Sequence, residues 1–188
     1  MASRNRPSLL SLIPNLINAL VPIGGVIFLA IGFSGLLVVG FGSVFGKDFI
    51  SGDGAGVVYT SERCADYFRF HPEAKDCYSA ATAHHYDEVV DIRGGIGAVG
   101  SMVLIAYYGL RRRFKWASDT RVIPRGFSST VAASLFGAAA FLLLGIFAMQ
   151  AGFGNTTGVG VLLAGGLVSV VAFLAYATQL SRDLLRAG

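Results

Sequence analysis

The sequence predicts an all-α integral membrane protein: a bundle of four transmembrane helices with an extracytoplasmic, disulfide-stapled helical hairpin between the first and second. Three observations lead there. First, 54% of the 188 residues are hydrophobic and only 14% charged, against about 25% charged in a soluble domain, so the chain lacks the polar surface to cover itself in water. Second, several apolar runs reach the roughly 20 residues that cross a bilayer as a helix. Third, the polar residues are gathered rather than scattered. Residues 60–93 hold both cysteines, all three histidines and seven of the eleven acidic residues.

In chain order, Arg4 and Arg6 mark a basic tail, and residues 8–44 carry no charge. As one straight helix those 37 residues would span about 56 Å, almost twice the hydrocarbon thickness. A break is therefore expected at Pro22-Ile23-Gly24-Gly25. Before it, Ser8, Ser11, Asn15 and Asn18 recur at helical spacing. Residues 1–21 thus read as a cytoplasmic tail and interfacial amphipathic helix, and residues 22–45 as the first span. The competing reading makes 10–32 the span, with the asparagines facing other helices. The apolar run is too long for a signal peptide and no A-x-A site follows it, which suits an uncleaved anchor.

Residues 46–90 form the extracytoplasmic segment. GKDFISGDGAG (46–56) reads as a flexible exit loop. A helix then starts at Thr60 or Ser61, with Glu62 in its first turn, and stops near Phe70 because Pro72 pushes His71 out of the helical region. A second helix is expected from Pro72 or Glu73, running through His84, His85 and Glu88 into the second span, 91–110, with Gly94-Gly95 as a candidate kink. That span ends at Arg111-Arg112-Arg113-Phe114-Lys115-Trp116, with Tyr107, Tyr108 and Trp116 as interfacial aromatics. A basic loop (111–125), a third span (126–151), an outer turn (152–157), a fourth span (158–180) and a cytoplasmic tail (181–188) complete the chain.

Basic residues set the orientation. The tails and the 111–125 loop carry Arg4, Arg6, Arg111, Arg112, Arg113, Lys115, Arg121, Arg125, Arg182 and Arg186; the other side carries Lys47, Arg63, Arg69, Lys75 and Arg93. Ten against five puts both termini in the cytoplasm, with the plasma membrane as the expected location. The net charge of +4 is then a product of topology, and no nucleic-acid partner is implied.

This orientation exposes Cys64 and Cys77 to an oxidising compartment, where disulfides persist. They flank the proline-marked turn, so a bridge across the hairpin is expected, contributing about 3 kcal/mol. The C-x12-C spacing lacks the C-x-x-C arrangement of a redox pair. On the second hairpin helix, His84, Glu88 and Asp91 share one face with His85 beside them. The simple reading is a solvated face. The sharper one is a site for zinc or a similar ion held by His84, His85, Glu88 and Asp91. His71 reads as a turn residue. Asn155-Thr156-Thr157 matches a glycosylation sequon close to the bilayer.

No ionisable residue falls within the predicted hydrophobic cores; Asp91 and Arg93 sit at the mouth of the second span. That counts against transport by a single chain. Small residues at Gly42/Gly46, Gly94/Ala98, Gly97/Ser101, Ser129/Ala133/Gly137 and Gly165/Gly166 permit close helix approach. The expected function is a non-enzymatic accessory, interaction or sensing protein. It would present the hairpin, through Tyr67, Phe68, Arg69 and Phe70, to another membrane or extracytoplasmic protein or to a second copy. The alternatives are an outer-surface enzyme using the His/acid cluster and an oligomeric channel or transporter subunit. The layout resembles claudin-type proteins in outline only: their W-GLW-C-C pattern is absent, the sole tryptophan is Trp116 on the opposite side, and no family is assigned.

Overall fold

Long apolar helices carry nearly everything in the computed structural model, which describes residues 9–51, 61–114, 127–154 and 157–185, the side chains of 9–15, 61 and 114 excepted. In chain order they are α1 (Leu9–Phe45), α2 (Asp48–Ser51), α3 (Ser61–Phe70), α4 (Cys77–Phe114), α5 (Phe127–Gly152) and α6 (Gly160–Leu185). There is no strand among the described residues. Leu16–Phe45, Cys77–Arg113, Phe127–Gly152 and Gly160–Leu185 are each long and apolar enough to cross a membrane. Their large apolar side chains point outward: Phe141 is 80% exposed, and Ile105, Leu36 and Val171 are exposed too. Such a surface is insoluble in water and natural in hydrocarbon.

The break expected at residues 22–25 is absent, since α1 runs through it as one helix. Pro22 has no N–H, so the carbonyl of Asn18 loses its helical donor. The hydroxyl of Tyr107, on α4, replaces it, lying 3.2 Å from the Asn18 carbonyl oxygen and 3.1 Å from its side-chain Oδ1. Asn18 therefore faces a neighbouring helix, as in the competing reading. Ser8, and the side chains of Ser11 and Asn15, lie outside the described residues. So do the Thr60 cap, the 115–126 stretch with Trp116, and Asn155-Thr156 of the sequon.

Helix α1 ends at Gly46, whose φ of 92° is the left-handed terminator only glycine adopts freely. Part of the expected exit loop is instead the single turn α2. Its Ile50 is 2% exposed and packs with Val38 and Ala164. The Asp48 carbonyl accepts from Gly158 N–H at 3.0 Å, and the Ser51 hydroxyl donates to the Thr82 carbonyl at 3.0 Å. Thus α2 ties α1, α4 and α6 together at one end.

The expected start of the second hairpin helix also moves. Residues 71–76 form turns and α4 begins at Cys77. Asp76 and Ser79 cap one another: Ser79 N–H donates to Asp76 Oδ1 at 2.7 Å, and Asp76 N–H to the Ser79 hydroxyl at 3.2 Å. This reciprocal box satisfies two donors at once, which Pro72 cannot match. From there α4 continues through Gly94-Gly95 without interruption to Phe114, and α6 runs on into the expected tail as far as Leu185.

Small residues let the helices meet. A Cβ on Gly32 would lie 2.5 Å from the Gly97 Cα, and one on Gly100 would lie 2.8 Å from Leu29 N, so α1 and α4 touch backbone to backbone. Gly42 makes room for Tyr86, Gly137 for Phe173, Gly165 for Leu143 and Gly166 for Leu144. Gly94 faces open space. A core of Ile23, Ala132 and Phe136 joins α1 to α5, with Ala172 and Tyr176 of α6 packed on it. Among the four long helices α1 packs against α4, α5 and α6, and α5 against α6; α4 approaches neither α5 nor α6 within 8 Å between Cα atoms. The four long helices thus leave a gap on one side.

Candidate functional site

The chemistry-bearing side chains gather on the hairpin made by α3 and the first turns of α4. Its arms are bridged by Cys64–Cys77, with Cα atoms 5.4 Å apart, within the usual range for a disulfide. The helix stop at Phe70 falls where Pro72 requires it. His71 N–H still reaches back to the Tyr67 carbonyl at 2.9 Å, and Ala74 N–H then closes on the His71 carbonyl at 3.1 Å. Asp76 sets the entry to α4, and its carboxyl is held below the ordinary carboxylate range, first by the Ser79 backbone N–H and then by the Ser79 hydroxyl.

His71 does more than turn the chain. It is 8% exposed, with Nδ1 3.6 Å from Glu73 Oε1 and Nε2 3.6 Å from Asp87 Oδ2. It therefore wedges the turn against α4, with its ring edge-on to His84 at 6.0 Å. His84 lies beneath an aromatic shelf: Phe70 stacks on it at 5.4 Å and 27°, and Tyr67 lies 5.4 Å away at 45°. These contacts give the short hairpin a small core of its own, in which Tyr67, Phe70 and His71 meet at His84.

The four residues read as possible metal ligands are not assembled as a set. Adjacent residues on a helix point about 100° apart, so His84 turns under α3 while His85 stays exposed, 3.7 Å from Glu88. That exposed pair adds little stability. Asp91 is exposed on the rim of a shallow pocket of about 520 Å³ shared with His71, His84, Asp87 and Glu88. Among the described residues no three His, Cys, Asp or Glu converge as metal ligands do, so zinc chemistry finds no ready donor set here.

The four residues expected to meet a partner divide between two roles. Tyr67 and Phe68 are half-buried, and Tyr67 supports His84. Arg69 and Phe70 are exposed; Phe70 shows 65% of its surface although its ring is fixed on His84. Beside them, Arg63, Asp66, Tyr67, Arg69, Phe70 and His84 line a second open pocket of about 440 Å³.

Arg93, which the sequence marks only as a charge at the mouth of the second span, has a defined partner. It is half-buried where α1 and α4 cross, and its Nη1 donates to the Ser34 hydroxyl, itself 2% exposed. Compared with known proteins, the chain matches no family model, no curated sequence and no solved structure.

Proposed function

We propose that the chain is a multi-pass protein of the plasma membrane, a four-helix bundle with both termini cytoplasmic, that works without catalysis by presenting its stapled hairpin outside to a partner protein. The observation that carries this reading is Phe70: a large aromatic 65% exposed at the end of a helix that also carries Glu62, Arg63, Asp66 and Arg69, its ring stacked on His84 in a hairpin closed by the disulfide. Pre-fixed aromatics flanked by arginine are what protein interfaces use as anchors, and a rigid hairpin gives up little entropy on docking. Membrane insertion is supported by four apolar helices and by the arginines at 111–113 and 182 that close α4 and α6. Placing those ends inside puts the acidic hairpin outside.

A photo-crosslinking phenylalanine analogue at position 70 tests this in intact cells. The reading predicts one protein adduct of defined mass, lost when Arg69→Glu is added. The same probe at the lipid-facing Phe141 should give only lipid adducts. An adduct of twice the chain's mass identifies the partner as a second copy. Identical patterns from positions 70 and 141 would overturn the reading.

A further inference from the structure

A cavity of about 420 Å³ lies among α1, α5 and α6, and α4 contributes one residue to its lining, Arg93. Its lining is apolar except for Arg93, Ser34 and Ser169. Both serines are satisfied within their own helices: Ser34 donates to the Ile31 carbonyl at 2.6 Å, and Ser169 to the Gly165 carbonyl at 2.8 Å. Arg93 is the one charge at the cavity. A guanidinium carries five N–H donors; one goes to Ser34, and among the described residues no carboxylate pairs with Arg93 within 4 Å. A cation in an apolar site without a counter-charge is expensive. What completes it is an anion that brings its own apolar body.

Depth and direction fit one such molecule. Arg93 precedes Arg111 by eighteen residues on an unbroken helix, about 27 Å along the axis, close to the roughly 30 Å hydrocarbon thickness. With Arg111 at one interface, Arg93 lies toward the opposite face of the span, and its long side chain can reach up to a lipid phosphate. The cavity runs inward from there, from Ser34 down α1 to Ile27 and along α5 from Leu143 to Phe136. Because α4 and α5 do not meet, it opens sideways to the bilayer.

We infer that this cleft binds an anionic phospholipid, its phosphate paired with Arg93 and one acyl chain laid along the apolar lining of α1, α5 and α6. Arginine suits the head because its planar fork takes two phosphate oxygens at once. Ser34 fixes the fork by accepting from one arm. The cleft's open side lets the second acyl chain stay in the membrane.

The inference rests on the membrane-spanning reading but not on what the hairpin meets, so its test is separate. Full-length protein in detergent doped with equal amounts of phosphatidylglycerol, diacylglycerol of the same chains, and oleate is examined by native mass spectrometry. Phosphatidylglycerol should be retained about tenfold over diacylglycerol, the scale of one charge-assisted contact. Arg93→Gln should abolish that preference, Arg93→Lys keep most of it, and Arg111→Gln leave it unchanged. Ala139→Phe fills the cavity without altering the charge and should lose the lipid altogether. If Arg93→Gln fails to fold by circular dichroism, the lysine and Ala139 variants decide. Equal retention of phosphatidylglycerol and diacylglycerol, an unchanged preference in Arg93→Gln, or oleate held above phosphatidylglycerol would each overturn the assignment.

Discussion

Tyr107→Phe isolates the repair of the Pro22 gap. Tyr107 is 5% exposed, so the substitution removes one oxygen from a packed site and leaves the ring. In the native chain the Asn18 carbonyl, on a half-buried residue, then has neither its helical donor nor its substitute, and a fully buried unsatisfied acceptor costs about 1–3 kcal/mol. The hydroxyl has one proton for two acceptors, at 3.2 and 3.1 Å, both longer than the usual O–H···O separation of about 2.7–2.8 Å. The lower part of the range applies, about 1.5 kcal/mol. In a Pro22→Ala background the new N–H restores the bond to Asn18, and Tyr107→Phe should cost only about 0.5 kcal/mol. A double-mutant cycle, read from unfolding of purified protein in mild detergent by helical circular dichroism, should give a coupling of about 1 kcal/mol. Additive losses, with coupling within about 0.3 kcal/mol of zero, would refute the argument that the hydroxyl stands in for the missing donor.

Other substitutions probe the remaining contacts. Gly97→Val should destabilise by about 1–3 kcal/mol, because its Cβ would lie 2.6 Å from the Gly32 Cα, whereas Gly94→Ala, with nothing within 4 Å, should be neutral or slightly stabilising; detergent unfolding compares the two. Replacing Cys64 and Cys77 by serine opens a loop with a sequence separation of 13 and should cost the hairpin about 3 kcal/mol, seen as faster hydrogen exchange across α3 while α5 and α6 keep their protection. The Asp76 carboxyl should titrate by NMR below the ordinary value of about 3.9. Its cap, a depressed carboxylate, stabilises the start of α4 fully above the unfolded-state pKa and is lost as pH falls through the lower folded one. A midpoint at or above the ordinary value would contradict the capping geometry.

Periodicity and charge made the four long helices legible, and Pro72 between the two cysteines made the staple legible, because both signals are local. Pro22 shows why the rest was not. Sequence reveals the missing N–H, but the replacing hydroxyl comes from Tyr107, 89 residues from Asn18, and only packing brings them together. The start of α4 was readable in principle, since Asp76-x-x-Ser79 is a cap signal; the proline four residues earlier drew attention from it. Helical spacing grouped His84 with Glu88 and Asp91. It could not show that α3 would fold over His84, or that His71 would be buried against Asp87. Arg93 was visible as a charge at a span's mouth. Its place against Ser34 depends on the Gly32–Gly97 approach, one of many small-residue pairs in this chain, and nothing local distinguishes it from Gly94, where an added Cβ would meet nothing within 4 Å.

For the hairpin to meet a partner outside the cell, it and the arginine-rich ends of α4 and α6 must lie across a bilayer from one another. A membrane-impermeant maleimide applied to intact cells after mild reduction measures this directly. Cys64 and Cys77 should label, while a Trp116→Cys variant with both native cysteines replaced should label only after the membrane is permeabilised. Labelling at position 116 in intact cells, with Cys64 and Cys77 protected, would contradict it.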